Sequence, residues 1–189
     1  MLNHIVDFFL KSHPVTLFVL AVLTLYFFII NWIFFYRLFS LSAWNSRESS
    51  SLETLLMGSP NIAPNSYLSY FIKSTSVLSR ELFDLAQFAA TKEATKGLSF
   101  LSIVASTSPF IGLFGTVVSI LDTFSHIGQT SGTMAIIAAG VSDALVATAS
   151  GIFVAIFAYT YHQIIKRKAF ELSGLLKMQS DSLLSKKVY

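Results

Sequence analysis

Three stretches of this chain are long, apolar and nearly free of charge, and that pattern constrains the fold more than anything else in the sequence. The first lies between Lys11 and Arg37, with its apolar run from Pro14 to Tyr36. The second lies between Lys96 and Asp122, and the third runs from Met134 to Ile165, interrupted only by Asp143. An ionised side chain at the centre of a bilayer costs about 2.5–3.5 kcal/mol even on the mildest scale, and a spanning helix needs about 20 apolar residues. Each stretch therefore reads as a transmembrane helix. The spans fall at about 14–36, 97–121 and 134–160, with Trp32, Tyr36 and Trp44 as aromatic anchors at the interface. At about 1.5 Å per residue the third apolar segment is about 48 Å long, beyond the roughly 30 Å hydrocarbon core, so its helix is expected to project from the membrane. A cleaved signal peptide fits the first stretch poorly, because its apolar core would be about 7–15 residues and end in a small-residue cleavage site. The composition agrees. Of 189 residues, 53% are hydrophobic and 12% charged, against about 25% charged in soluble domains. The expected architecture is an all-α, three-span bundle forming one membrane domain over 1–189.

Basic residues flanking a span are retained on the cytoplasmic side. Arg37, Arg47, Lys73, Arg80, Lys92 and Lys96 lie between spans one and two, and Lys166, Arg167, Lys168, Lys177, Lys186 and Lys187 follow span three. The 122–133 connection has none and the N-terminus only Lys11. The expected topology is N-out and C-in, with a cytoplasmic segment at 37–96 and a cytoplasmic tail at 166–189. The segment divides into a polar stretch holding Ser49, Ser50, Ser51, Pro60 and Pro64, and a helical pattern with Phe71, Leu78, Leu82, Leu85 and Ala89 that is expected to run on into span two. Leu172, Leu175, Leu176, Gln179 and Leu183 give the tail a similar stripe, and pairing of the two helices would extend the bundle into the cytoplasm. The alternative for the first stripe is a face for partners or sister subunits.

Several function classes are excluded or poorly supported. The net charge of +3 is spread over polar segments, not gathered into the basic, aromatic-interleaved patch of a nucleic-acid binder. With no cysteine there is no thiol nucleophile or thiolate metal site. His4, His13, His126 and His162 lack the spacing that sets two imidazoles on one helical face, and no serine elbow or phosphate loop occurs. No cofactor or metal is expected.

Helices associate in lipid through close packing of small residues and interhelical hydrogen bonds. Span three carries Gly140, Ala144, Ala147, Gly151, Ala155 and Ala158 along one face, with Asp143 and Thr148 at its margin. Span two carries Ser108, Gly112, Gly115 and Ser119, with Thr116 beside them and Pro109 at an expected kink. Two readings fit these faces. They are packing seams whose threonines bond their own helix backbone, or they line a narrow pathway in which a proton or a partner helix passes without a fixed charge in the wall. Asp143, roughly 13 Å below the outer end of span three, is an intramembrane carboxylate and so a functional-site hypothesis. It either exchanges a proton or accepts hydrogen bonds from a neighbouring hydroxyl, and no Lys or Arg in spans two or three can pair with it.

The stretch Ser108-Pro109-Phe110-Ile111-Gly112-Leu113-Phe114-Gly115-Thr116-Val117 resembles the signature of the MotA/TolQ/ExbB superfamily, especially TolQ and ExbB. Residues 140–151, reading G-V-S-D-A-L-V-A-T-A-S-G, resemble the family's G-I-A-E-A-L-x-A-T-A-x-G. The resemblance covers Leu98 to Ile165 well and span one loosely, where F-L-K before the span is more similar to TolQ. It implies a homo-oligomer, a pentamer, around the single spans of a TolR- or ExbD-like dimer. Protons crossing between them would move that partner and, through a TolA- or TonB-like protein, transmit work to the outer membrane. By the same resemblance the pore-facing threonines are Thr116 and Thr148, the intramembrane glutamate falls on Asp143, and the proton-carrying aspartate belongs to the partner. The chain departs from the family at Asp143, at Ala139 and Phe157 where prolines are usual, and at Val118 and Ser119 in place of tryptophan and glycine.

The resulting expectation is an inner-membrane proton-channel and motor subunit of a Gram-negative bacterium, of Tol-Pal type, and not an enzyme. The alternatives are ExbB-type energising of TonB-dependent uptake and a non-conducting scaffold. A MotA-type stator is disfavoured, because that branch has four spans.

Overall fold

The computed structural model describes residues 14–58, 62–74, 79–127 and 134–186, leaving aside the side chains of Ser74, His126, Ile127, Ala135, Ile136, Ala139, Asp143 and Lys186. The described residues form five helices and no strand: α1 (Pro14–Leu56), α2 (Tyr67–Ser74), α3 (Arg80–Ala94), α4 (Leu98–Ile127) and α5 (Met134–Lys186). Three of them, α1, α4 and α5, are long and apolar enough to cross a membrane. The described residues divide into two compact units, one within 1–32 and 100–161 and the other within 33–99 and 162–189.

In the first unit, the opening part of α1 packs with α4 and α5. Pro14 opens α1, where its fixed φ suits the first turn and its missing N–H is no loss. Val19, Leu23 and Ile30 of α1, Leu101 and Val104 of α4, and Ala144, Ala147, Val154 and Ala158 of α5 are buried. The bulky Phe18, Leu25, Phe28, Phe110, Phe114, Leu121 and Ile156 point outward. Large apolar residues thus face outward as well as inward, as expected where the solvent is lipid, and the small buried residues of this set lie on α5. Phe27 of α1 packs against Phe153 and Phe157 of α5, with ring centroids 5.8 and 5.6 Å away. One turn further, the Tyr161 hydroxyl donates to Asn31 Oδ1 at 3.0 Å, and Asn31 Nδ2 donates to the Phe27 carbonyl at 2.8 Å.

The second unit departs from the sequence expectation in three places. Ser49, Ser50 and Ser51 are not a polar stretch between elements, because α1 continues to Leu56. Leu41, Asn45, Glu48, Leu52 and Leu55 make a buried face at helical spacing. Hydroxyls fold back onto the helix, Ser50 to the Ser46 carbonyl at 3.2 Å and Thr54 to that of Ser50 at 2.9 Å. The expected helix through Phe71 to Ala89 is also divided. Phe71 belongs to α2, Leu82, Leu85 and Ala89 belong to α3, and Leu78 lies outside the described residues. The buried stripe of α3 is Phe83, Ala86, Ala90 and Ala94, whereas Leu85 is exposed. One phenylalanine and three alanines pack more closely than the leucines that marked the neighbouring face.

Finally, α3 does not run on into α4. Its N-terminus is capped by Ser79, whose Oγ accepts the Leu82 N–H at 3.3 Å. It ends at Ala94, and Gly97 takes φ +85°, a left-handed conformation that glycine adopts freely. Arg37 Nη2 donates to the Glu93 and Ala94 carbonyls at 2.6 and 2.8 Å, the first of which also takes the Lys96 N–H at 3.3 Å, so that carbonyls at the helix end are met. In the tail, Leu172, Leu176 and Gln179 are buried, and Gln87 of α3 meets Ser180 at 3.3 Å.

Candidate functional site

In the first unit α4 and α5 approach each other closely, and glycine makes it possible. A Cβ on Gly112 would stand 2.7 Å from the Ala147 carbonyl oxygen and 3.1 Å from Thr148 Cα. A Cβ on Gly151 would stand 2.5 Å from the Ser108 carbonyl oxygen and 3.0 Å from Gly112 Cα. A Cβ on Gly115 would stand 3.1 Å from Ala147 Cβ and 3.2 Å from Val19 Cγ1 of α1, and a Cβ on Gly140 would collide with the Thr123 side chain. Ala144 and Ala147 are fully buried and Ala155 nearly so. The helix stays continuous across Pro109, whose nitrogen cannot donate to the Ala105 carbonyl. Buried Ser108 donates to the Val104 carbonyl at 2.7 Å.

This contact brings two hydroxyls together. Thr116 and Thr148, both half-buried, are hydrogen-bonded to each other across the two helices. Thr116 Oγ1 also lies 3.2 Å from the Gly112 carbonyl oxygen and 3.4 Å from that of Ala144. Thr148 Oγ1 lies 3.3 Å from the same Gly112 carbonyl. Each hydroxyl has one proton to give and two lone pairs. Either threonine can donate to the other while its partner donates to Gly112, so two hydrogen-bond orders share one set of oxygen positions. Further along α4, Ser119 lies 3.4 Å from the Gly140 carbonyl and Thr123 donates to the Ser119 carbonyl at 2.8 Å.

The sequence-predicted residues Thr116, Thr148, Gly112, Gly151, Ser108, Gly115, Ala144 and Ala147 thus meet along one seam, with Gly140 against Thr123 at a different level. Asp143 lies within α5, but its side chain falls outside the described residues, as does that of Ala139.

Residues 72–178 match the family described as the MotA/TolQ/ExbB proton channel family. The chain belongs to it. The match takes in α3, α4 and most of α5, and so the whole Thr116–Thr148 seam. Similarity to one relative extends further: over 192 residues the chain is 43% identical to the biopolymer transport protein ExbB-like 1 of Helicobacter pylori, covering 99% of this chain and all of that protein. It is 39% identical over 95 residues to the biopolymer transport protein ExbB of Pseudomonas putida, half of this chain and 28% of that one. To the Tol-Pal system protein TolQ of Pseudomonas aeruginosa it is 38% identical over 96 residues, 49% of this chain and 42% of that one. Three apolar helices and this family make the chain a multi-pass membrane protein.

Within this MotA/TolQ/ExbB family member, sequence reasoning missed the backbone acceptors at Gly112 and Ala144, because carbonyl placement carries no residue-type signal. It also missed Asn31 and Tyr161. Asn31 is the lone carboxamide between Pro14 and Tyr36, and a polar side chain in a span marks an interhelical hydrogen bond.

Proposed function

We propose that this chain is a proton-channel and motor subunit of a bacterial inner membrane. It assembles as a homo-oligomer, a pentamer, around a single-span TolR- or ExbD-like dimer, with N-out and C-in topology. The observation that supports this reading best is the Thr116–Thr148 hydroxyl pair at a glycine-on-glycine contact. The pair adds no fixed charge to the wall, and its hydrogen bonds can run in either direction without moving an oxygen atom. A carboxylate on the partner helix would load and release the proton, and the hydroxyls would accept and return it, or orient water beside it. Asp143, carried by α5, is proposed as a further proton-exchanging group of the pathway. The proton motive force would then drive movement of the partner and, through a TolA- or TonB-like protein, transmit energy to the outer membrane of a Gram-negative cell.

The Tol-Pal role rests on the TolQ-like segment before span one. A second reading is ExbB-type energising of TonB-dependent uptake, favoured by the end-to-end similarity to an ExbB-like protein. Co-purification with a TolR-like or an ExbD-like partner separates the two.

Thr148→Val tests the shared core of both readings. It keeps the shape and removes the hydroxyl, so a proton pathway fails while assembly survives. A variant that assembles and still supports proton-motive-force-dependent function would leave only a scaffold.

A further inference from the structure

Glu48 is fully buried in the second unit, away from any role in the Thr116–Thr148 seam. Its carboxylate lies among α1, the start of α2 and the end of α5. Oε1 accepts the Tyr67 backbone N–H at 2.8 Å and the Trp44 indole N–H at 3.2 Å. Oε2 accepts the Ser66 hydroxyl at 2.8 Å and Gln179 Nε2 at 3.1 Å. The same Gln179 nitrogen donates to the Glu48 backbone carbonyl at 2.8 Å, and Gln179 is itself fully buried. Among the described residues Glu48 makes no ion pair. The charged residues beside this cluster on the same helices, Arg47 on α1 and Lys177 and Asp181 on α5, are exposed.

A buried charge without a counter-ion is a poor source of stability, since an apolar pair of similar volume packs at least as well. Its best-attested use is to fix which of several apolar alignments is adopted. At the end of α5, Leu172 and Leu176 are buried and Leu175 and Leu183 half-buried, an apolar stripe with Gln179 as the fully buried amide among them. Three N–H donors face the carboxylate, together with the Ser66 hydroxyl, which also lies 3.1 Å from Gln179 Oε1. An amide in its place would turn its own N–H groups toward an N–H donor, that of Gln179 at one oxygen position or those of Tyr67 and Trp44 at the other.

We propose that Glu48 is an anionic latch that sets the register of α5 in the second unit, with Gln179 as its key. Because α5 is one continuous helix from Met134 to Lys186, a one-turn shift of its end would also move Thr148. Cross-links read the register itself and not proton flux, so the latch can fail while the proposed function stands.

The chain contains no cysteine, so a short bis-thiol cross-linker can be applied to paired cysteines in the full-length protein in native membranes. Gln87→Cys with Ser180→Cys reports the observed register, because the native side chains meet at 3.3 Å and the linker spans the gap left by the shortened Gln87. Gln87→Cys with Leu184→Cys reports a shift of one turn. With Glu48 present, only the first pair should cross-link. In Glu48→Gln, and in the double variant Glu48→Leu with Gln179→Leu, both pairs should cross-link. The ratio of observed to shifted register should fall about ten- to a hundredfold, the weight of hydrogen bonds to a charged group. Cross-linking confined to the first pair in the double variant overturns the proposal. Loss of both cross-links in both variants overturns it as well, since Glu48 would then carry stability and not register.

Discussion

Substituting Gly112 with alanine should part Thr148 from the Gly112 carbonyl while leaving both threonine side chains chemically unaltered. The added methyl would start 2.7 Å from the Ala147 carbonyl oxygen and 3.1 Å from Thr148 Cα. Both neighbours are backbone atoms, so no rotamer change relieves the contact. Ordinary contact begins near 3.4 Å, so α4 and α5 must part by about 0.7 Å at this level. The Thr148 Oγ1 to Gly112 carbonyl distance, 3.3 Å at present, would lengthen by a similar amount and leave hydrogen-bonding range. Overpacking of this kind destabilises by about 1–3 kcal/mol. The matched control is Gly174→Ala, where an added Cβ meets nothing within 4 Å and the helix should gain about 0.5–1 kcal/mol. Thermal unfolding of the detergent-solubilised oligomer and proton-driven function in cells would be measured together. The expected result is a lower melting temperature and impaired function for Gly112→Ala, and neither for Gly174→Ala. Equal stability and full function for both would refute the inference that glycine holds the seam closed.

Two further outcomes follow from the second unit. Arg37→Met removes the donor to the Ala94 carbonyl and leaves that of Glu93 with the Lys96 N–H at 3.3 Å, stranding an acceptor at a helix end at about 1–3 kcal/mol. Amide exchange should quicken in the last turn of α3 before it changes elsewhere. Glu93 has its carboxyl held below the usual range, first by a hydrogen bond from Lys96 and then by the charges of Lys96 and Arg37. A depressed folded-state pKa contributes stability that is present above the ordinary carboxylate range and lost as pH falls through the lowered value. The pair is exposed, so the effect is small. Lys96→Met should flatten the acid limb of the stability profile, and an unchanged acid limb would show that the pair contributes nothing.

The membrane spans were legible because charge exclusion is absolute enough to read from composition alone. Three runs lacking Lys and Arg became α1, α4 and α5. The Gly112–Gly151 seam was legible as small-residue spacing, since only small residues allow backbones so close. The end of α3 was not, because Gly97 marks a break only once its positive φ is known. The buried face of α3 was displaced by one position, as the alanines that pack there carry no strong hydrophobic signal. Glu48 was passed over for a related reason: a single glutamate in a serine-rich stretch reads as solvated until its donors are seen. In the seam, the threonines were visible as residue types, but their meeting with each other and with one shared carbonyl is a property of helix packing.

Proton flux into liposomes, with the chain reconstituted beside its single-span partner, tests the central claim most directly. Thr148→Val should assemble normally and lose flux under an imposed proton gradient, while Thr148→Ser, which restores the hydroxyl, should recover it. Flux through Thr148→Val equal to that of the unaltered chain would contradict the account and return the Thr116–Thr148 contact to packing alone.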